Sequence, residues 1–328
     1  MIGAFETVDP VLEHRISRSL DRVEQQLLTA VQSEYPFVTE TSRHLVVAGG
    51  KRFRPILTLL AAEFGDPHAP GVVPAAVVVE LTHLATLYHD DVMDEATMRR
   101  GAQSANSRWD NTVAILTGDF LFARASQILA DLGPQAVRIQ AETFERLVTG
   151  QINETVGPVD SQDPVKHHLS VLADKTGSLI ATSGRFGAML SGADQETINI
   201  LTSFGERIGV AFQLADDIVD ITSISDQSGK TPGTDLREGI PTLAALIAMS
   251  RTDPESDRLR ELLSRPLPDN SEHQEALELL RAHGSLEEAR LEACRWADEA
   301  RRALEPLPDI PAKEALSALC DYVVTRTG

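Results

Sequence analysis

The chain has 328 residues, of which 42% are hydrophobic, and its formal net charge is −19 at pH 7. This length and apolar content allow a large hydrophobic core, and the negative charge argues against nucleic acid as a partner. Two cysteines, Cys294 and Cys320, are too few for a disulfide framework and suit a reducing compartment. Residues 1–10 lack the features of a signal peptide, and no uninterrupted apolar run is long enough to span a membrane. We therefore expect a soluble, cytoplasmic protein.

Apolar residues recur at helical spacing along most of the chain, and strand-like alternation is absent. Helices are predicted over residues 9–33, 37–48, 55–64, 72–91, 104–131, 135–156, 165–190 and 195–221. An Asp-Lys-Thr-Gly sequence at 174–177 interrupts the seventh helix, and residues 223–239 read as a loop. The charged stretch 253–305 predicts solvent-facing helices. The fold prediction is all-α, with a single domain over residues 1–328 and long helices around a central cavity.

The stretch from Glu80 to Gly101 places three aspartates at the end of an apolar helical run. Asp90 and Asp94 are four residues apart and share a helix face, whereas Asp91 lies on a neighbouring face. Such close carboxylates repel each other unless a cation lies between them, and hard oxygen ligands suit Mg²⁺. Helix N-capping is the alternative role for aspartates, but these come at a C-terminal end, where the helix dipole disfavours them.

A second D-D-x-x-D sequence, Asp216-Asp217-x-x-Asp220, also follows an apolar run. Gln213 lies three residues before Asp216, on the same helix face. Two such motifs predict two facing carboxylate clusters with magnesium ions between them. That arrangement is a site for a diphosphate, which brings further oxygen ligands for the metal.

Taken in order, these motifs resemble those of the trans-isoprenyl diphosphate synthases, or polyprenyl synthetases. The resemblance covers about residues 45 to 245 and rests on Gly49-Gly50-Lys51-Arg52-x-Arg54-Pro55, Asp90-Asp91-x-x-Asp94, Arg99-Arg100-Gly101, Gly118-Asp119, Lys175-Thr176 and Gln213-x-x-Asp216-Asp217-x-x-Asp220. It implies an isoprenoid synthase fold. It also implies a Mg²⁺-dependent, head-to-tail condensation of isopentenyl diphosphate with an allylic diphosphate, which yields an all-trans polyprenyl diphosphate.

The resemblance also implies a role for each matching residue. The metal ligands would be Asp90, Asp94 and Asp216, supported by Asp91, Asp217 and Asp220. Contacts to the allylic diphosphate would come from Arg99, Lys175, Thr176, Gln213 and Lys230. Contacts to isopentenyl diphosphate would come from Lys51, Arg54, His83 and Arg100. The six aspartates and Lys175 form the expected catalytic set, because metals and cations stabilise the charge that grows on the departing diphosphate.

Some of these residues keep a simpler reading when each is taken alone. The basic segment Lys51 to Arg54 could be a solvated loop, Lys175 and Thr176 could be an exposed helix turn, and His83 could be a satisfied core histidine. One position departs from the family pattern, because Ile240 stands where many relatives have a lysine. Lys230 and Arg237 lie near enough in sequence to compensate.

Product length would depend on the wall beside the first aspartate helix. Ala85, five residues before Asp90, and Thr82, one turn deeper, are small, whereas an aromatic at the first position would indicate a short product. Small side chains on this wall leave space for a growing product, so we predict a medium or long chain of about C30 to C50, as used for quinone side chains. The alternative is a short-chain (C15 or C20) synthase in which Phe120 or Phe122 forms a floor.

Other functions are weighed against the same residues. A class I terpene cyclase would carry a different second metal motif and would not need the basic segment, and head-to-head synthases differ beside their aspartates. A non-catalytic partner subunit would be expected to lose aspartates, and all six are present. From the resemblance we also expect a homodimer, with transient membrane contact for release of an apolar product.

Overall fold

A computed structural model describes residues 9–223, 232–253 and 256–325, and these residues are overwhelmingly helical. The helices are α1 (Pro10–Ala30), α2 (Pro36–Val47), α3 (Phe53–Ala62), α4 (Val72–Met93), α5 (Ala105–Arg108), α6 (Asn111–Leu132), α7 (Pro134–Val156), α8 (Pro164–Leu172), α9 (Ser178–Leu190), α10 (Gln195–Thr222), α11 (Thr234–Glu238), α12 (Leu243–Ser250), α13 (Asp257–Leu263), α14 (Asn270–Ala282), α15 (Gly284–Ala303) and α16 (Pro311–Thr325). A π-helical turn, Ala173–Gly177, joins α8 to α9. The all-α prediction is confirmed.

Helix boundaries follow the local chemistry of the sequence. Asp9 and Asp163 each accept backbone N–H groups at the first turn of a helix whose first residue is proline. Helix α2 ends two residues before Gly49, whose φ of 85° no other residue type adopts readily. Helix α3 begins at Phe53, two residues before the predicted start, after Arg52 in the left-handed region.

The described residues form two compact units. The first draws on residues 1–145, 179–205 and 306–316, and the second on residues 146–178, 206–305 and 317–328. In the first unit, α4 packs along α6 and against α1 and α3. Helix α4 is buried almost all round, which fits its nearly continuous apolar sequence.

In the second unit the core joins α10 to the helices that follow it. Val210, Leu214 and Ile218 of α10 pack with buried side chains of α11 to α15. The charged stretch 253–305 therefore does more than face solvent: its helices bury an apolar face, including Leu280 and Leu286, and expose their ion pairs.

A short hairpin corrects the prediction that strands are absent. Met98–Arg99 pairs with Ala102–Gln103 in antiparallel register. The two turn residues, Arg100 and Gly101, both have positive φ, at 54° and 76°, as in the tight turns that suit hairpins. Strands of two residues are too short to show any alternation in sequence.

Two helices also correct the expectation about apolar runs. Val72–Met93 and Asn111–Leu132 are long and apolar enough to cross a membrane by length and composition, because an averaged window tolerates their few polar residues. The apolar window of the first is 72% buried in the protein, as in a core helix, whereas that of the second is 33% buried.

Candidate active site

The first acidic motif lies at the C-terminus of α4, as predicted. Asp94 is the helix C-cap, and its N–H donates to the carbonyl of Asp90 at 2.8 Å. The Asp94 side chain is 44% exposed, whereas that of Asp91 is fully buried. Arg99 joins the two, with Nε 2.5 Å from Asp91 Oδ1 and Nη2 3.7 Å from Asp94 Oδ2. The motif thus divides into two accessible carboxylates and one that fixes the neighbouring arginine.

Asp91 occupies an environment unlike that of its neighbours. Burial raises the pKa of its carboxyl, and Arg99 opposes that shift. Its Oδ2 is buried without a hydrogen-bond partner in the described structure, and Asn106 Nδ2 donates to its backbone carbonyl at 2.9 Å. Asp91 therefore anchors Arg99 and the chain after α4, in keeping with the supporting role expected for it.

The basic segment between α2 and α3 gathers beside α4. Lys51 is exposed, whereas Arg54 Nε is buried and finds no hydrogen-bond partner among the described residues. Burial, together with nearby Arg100, lowers the pKa of Arg54 to about 10, although Glu80 opposes the shift. Burial and then Arg54 and Arg100 lower the pKa of His83 well below its usual value, so its imidazole is neutral. The solvated-loop alternative holds only for Lys51.

The π-helical turn presents Lys175 and Thr176 in the second unit. Gly150 of α7 lies against it, because a Cβ on this glycine would stand 2.8 Å from the backbone nitrogen of Lys175. Arg146, one turn earlier, donates from Nε to Asp174 Oδ1 at 2.8 Å and from Nη2 to Glu206 Oε1 at 2.5 Å. Such π turns are concentrated at functional sites. The interruption of the predicted seventh helix is therefore a π turn braced by its neighbours.

Hydrogen bonds link this turn to the second acidic motif. Thr176 Oγ1 donates to Gln213 Oε1 at 3.1 Å, and Gln213 Nε2 donates to Asp217 Oδ1 at 3.0 Å. Lys175 Nζ lies 2.5 Å from Glu154 Oε2 of α7. The structure thus brings together in one unit five residues that the sequence scatters between α7 and α10.

Burial and neighbouring carboxylates both act on the second acidic motif in the described structure. Burial, and then the charge of Asp235, raises the pKa of Asp217 well above its usual value. Burial, and then Asp220, raises the pKa of Asp235 to about 7. His168 Nε2 is 3.9 Å from Asp217 Oδ2, but burial lowers the pKa of this histidine to about 4, so it stays neutral at pH 7. Bound cations would relieve this repulsion.

The donor set fits magnesium that arrives with a diphosphate. Nowhere in residues 9–223, 232–253 and 256–325 do three or more His, Cys, Asp or Glu side chains form a group able to hold a metal ion. Mg²⁺ usually binds one or two carboxylates and completes its octahedron with water and substrate phosphate oxygens. Carboxylates such as the exposed Asp94 suit that arrangement.

The wall predicted to set product length is small and buried. Ala85 and Thr82 are both inaccessible to solvent, and Gly118 of α6 meets α4 beside the carbonyl of Ala85. Gln140 Nε2 of α7 donates to Thr82 Oγ1 at 2.9 Å, which sequence analysis did not anticipate. Of the two candidate floor residues, Phe122 packs with Phe144 at 4.5 Å between centroids and Phe120 lies beside Arg124.

Lys230 and Arg237 are the residues expected to compensate for the departure at Ile240. Arg237 donates to the carbonyl of Pro268 and lies 3.3 Å from His273 Nδ1, so its guanidinium is engaged with the chain at α14. Lys230 lies outside the described residues.

Several residues that build this region belong to none of the sequence motifs. Those that contact or perturb predicted site residues are Glu80, Gln140, Glu154 and Asp235, and Arg146 contacts Asp174 beside Lys175. Glu80 and Gln140 carry a signal in retrospect, because each is a polar residue at a helix position that otherwise faces the core. The others lie on half-exposed faces, where a charged residue is unremarkable.

Comparison with known proteins gives consistent matches over the full chain. Residues 35–280 match a family model described as polyprenyl synthetase. A nonaprenyl diphosphate synthase from Mycobacterium tuberculosis is 48% identical over 100% of this chain and 98% of its own. A heptaprenyl diphosphate synthase component 2 from Geobacillus stearothermophilus is 36% identical over 95% and 97%. The crystal structure of a geranylgeranyl pyrophosphate synthase from Corynebacterium glutamicum, complexed with calcium and isoprenyl diphosphate, superposes with a TM-score of 0.89 at 48% identity, covering 98% and 99%.

Proposed function

Because this chain belongs to the polyprenyl synthetase family and is a prenyltransferase, we propose that it condenses isopentenyl diphosphate with an allylic diphosphate to a medium or long all-trans polyprenyl diphosphate. The observation that carries the proposal is the clustering of predicted ligands within each unit. Arg54, His83 and Arg100 gather in the first unit. Thr176, Gln213 and Asp217 form one hydrogen-bonded chain in the second.

The residues of this chain would divide the chemical work by charge. Asp90 and Asp94 in the first unit and Asp216 in the second would be the ligands for Mg²⁺, which when bound would supply positive charge to stabilise a leaving diphosphate. Lys175, with Thr176 and Gln213, orients that diphosphate as the carbon–oxygen bond breaks. The guanidinium of Arg54, whose Nε is buried without a partner in the described structure, holds the second diphosphate by a paired hydrogen bond.

A neutral His83 also suits this chemistry. The lowered pKa means that its imidazole adds no charge and can donate one hydrogen bond to an anion at neutral pH. The side chain is only partly buried, unlike its neighbours Thr82 and Leu84, which are inaccessible. These features support contact with isopentenyl diphosphate over the core-histidine alternative.

Product length is the finer part of the proposal, and a length of about C30 to C50 is supported by the small residues Ala85 and Thr82, neither of which is aromatic. Relatives named for nonaprenyl and heptaprenyl products favour a medium or long chain, and a geranylgeranyl synthase is as similar as the nonaprenyl one, at 48% identity. A quinone side chain is the use we propose for such a product, made by a cytoplasmic enzyme.

The experiment that tests function and length is a product assay. Purified protein receives labelled isopentenyl diphosphate, Mg²⁺ and, in separate reactions, C10, C15 or C20 allylic diphosphates, and the dephosphorylated products are sized. A ladder ending at C30 or beyond supports both parts. An end at C15 or C20 keeps the enzyme and refutes the length. No incorporation of label with any starter refutes the synthase.

A homodimer is the partner we propose, formed through an exposed apolar stripe. Helix α7 exposes Val137, Phe144, Val148 and Ile152, which follow one another at helical spacing. Phe144 contacts Phe122 of α6, and Leu116 of α6 is 61% exposed. Exposed apolar side chains at helical spacing typically mark an interface.

Light scattering with size-exclusion chromatography tests the dimer. Leu116→Glu should shift the protein towards monomer, whereas Leu291→Glu, at an equally exposed leucine of α15, should leave the mass unchanged. A monomeric wild-type chain would overturn the proposal and favour a partner of a different sequence. One relative is named as component 2 of a heptaprenyl diphosphate synthase, which suggests such a partner for that protein. Transient membrane contact for product release stays a proposal, which liposome flotation with bound product would test.

A further inference from the structure

Helix α4 buries a carboxylate one turn before His83. Glu80 is 2% exposed, and its Oε1 lies 2.9 Å from Arg52 Nη1 and 3.6 Å from Arg100 Nη2. A buried carboxylate is costly unless it is paired and hydrogen-bonded. Glu80 therefore requires these arginines beside it, and one oxygen atom connects the basic segment after α2 to the hairpin turn after α4.

All the N–H donors of the Arg52 guanidinium are used in this arrangement. Its Nε donates to Glu24 Oε1 at 2.5 Å, and its Nη2 donates to Glu24 Oε2 and to the Val46 carbonyl. Its Nη1 donates to Glu80 and to the Gly49 carbonyl. A guanidinium has five N–H groups, so no donor remains for a ligand. Arg54, two residues later, is the opposite case, because its Nε is buried with no partner in the described residues.

The pKa values agree with this division between a structural and a ligand-facing arginine. Burial lowers the pKa of Arg52, but Glu24 and Glu80 more than offset that effect, so the net shift is upward. The pKa of Arg54 is lowered, because burial outweighs the opposing effect of Glu80. The charge of Arg54 is thus the one that an incoming anion would stabilise.

The two arginines that contact Glu80 both have strained backbone conformations. Arg52 has φ 49° and Arg100 has φ 54°, and only three non-glycine residues in the described chain have positive φ. Such a conformation is unfavourable for a residue with a side chain and persists only where the surroundings enforce it. Gly50 also comes close, because a Cβ there would lie 2.9 Å from Arg100 Cζ. Both strained arginines meet at the same carboxylate.

We propose that Glu80 is a positioning residue for isopentenyl diphosphate: by holding Arg52 and Arg100 it fixes the strained loop that aims Arg54 at the diphosphate. The inference rests on the proposed function, because it names which residues preorganise one of its two substrate sites. Glu80 touches neither substrate. Its effect should therefore appear in the binding of one substrate and not in the chemical step.

The test is a kinetic comparison of Glu80→Gln with wild type, with each substrate varied in turn. We expect the KM for isopentenyl diphosphate to rise 10- to 100-fold, as for other residues that orient binding groups, while the KM for the allylic substrate changes less than twofold. Glu63→Gln is the matched control, because Glu63 is also a buried carboxylate paired with an arginine, Arg15, away from this loop. It should leave both KM values unchanged.

Two results would overturn the proposal. One is a KM for isopentenyl diphosphate within twofold of wild type in Glu80→Gln. The other is an equal rise in both KM values, which would indicate a general structural role. If Glu80→Gln does not fold, Arg52→Lys is measured instead, because lysine keeps the charge and loses the fork, and the same selective rise is expected.

A binding measurement separates this inference from the proposed function. Isothermal titration of isopentenyl diphosphate into metal-free protein reports the site without turnover, and Glu80→Gln should weaken binding by at least tenfold. If wild type binds isopentenyl diphosphate but incorporates none with any starter, the proposed function fails while the inference stands. If wild type turns over and the variant binds equally well, the inference fails alone.

Discussion

Replacing Gln140 by leucine tests how the wall beside α4 is built. Gln140 is 8% exposed, its Nε2 donates to Thr82 Oγ1, and its Oε1 is buried without a partner in the described structure. Leucine of similar size removes one hydrogen bond, worth about 1 kcal/mol net, and also removes an orphaned acceptor that costs about 1–3 kcal/mol. Thr82 is not stranded, because its hydroxyl still donates to the Val78 carbonyl at 2.9 Å.

The expected result is a protein as stable as wild type or more stable by about 1 kcal/mol. The matched control lies one turn further along α7. Thr143→Val removes a hydroxyl that donates to the Ile139 carbonyl and lies 2.6 Å from Thr182 Oγ1, so a satisfied pair is broken. Thr143→Val should lose about 1 kcal/mol.

Scanning calorimetry of both variants measures the contrast. With about 2 cal/mol/K of unfolding entropy per residue, a chain of 328 residues shifts by about 1.5 °C per kcal/mol. Gln140→Leu should therefore melt about 1.5–3 °C above Thr143→Val. If Gln140→Leu melts below Thr143→Val, its Oε1 has an ordered partner, and the reasoning is refuted. The product assay on the same variant then reports whether this pair limits chain growth.

Three further predictions follow from the site. Ala85→Phe should shorten the product, because Ala85 is fully buried on the predicted wall; an unchanged ladder would place the growing chain elsewhere. Arg146→Lys should raise the KM for the allylic substrate several-fold, because lysine cannot bridge Asp174 and Glu206. The KM for isopentenyl diphosphate should stay unchanged. Equal changes in both KM values would count against a role for the braced π turn in allylic binding. In metal-free protein, Asp235→Asn should raise Tm by a few degrees at pH 8 and by less at pH 4.5. The folded-state pKa of Asp235 is raised to about 7, so the stability that its protonated carboxyl contributes is fully present below the unfolded-state pKa. That stability is lost as the pH rises through 7, and the asparagine variant does not lose it. A pH-independent difference would contradict the raised pKa.

The periodic spacing of apolar residues predicted most of the helices and failed where an element has only a few residues. Helices of twenty or more residues, such as α4 and α10, show many turns of apolar spacing, so their type and approximate extent are readable. The hairpin at Met98–Gln103 offers two residues per strand and could not be read. The start of α3 was misplaced because proline is also tolerated inside the first turn, after Phe53 and Arg54.

The identity of the site residues and their order along the chain could be predicted from the sequence, but the contacts between them could not. The family resemblance singles out Arg54 rather than Arg52 as a ligand, but the residues alone give no physical reason, since both belong to one basic segment. The reason is an accounting of donors, which needs coordinates: all five are used in Arg52, whereas Arg54 Nε is buried without a partner in the described residues. Likewise Glu80 appears in sequence as an interruption of an apolar helix, and its purpose becomes visible only when two strained arginines are found on it.

The energetics of the wall suggest that product length is set as a distribution. Each added isoprene unit buries five carbons, which contributes about 4 kcal/mol at about 0.8 kcal/mol per CH₂. Breaking a buried polar contact such as Thr82–Gln140 costs about 1–3 kcal/mol, and overpacking a core costs a similar amount. One such polar contact is thus smaller than the gain from one unit, so the Thr82–Gln140 contact alone slows elongation but does not end it. Ala85→Phe differs, because its ring fills the path of the growing chain.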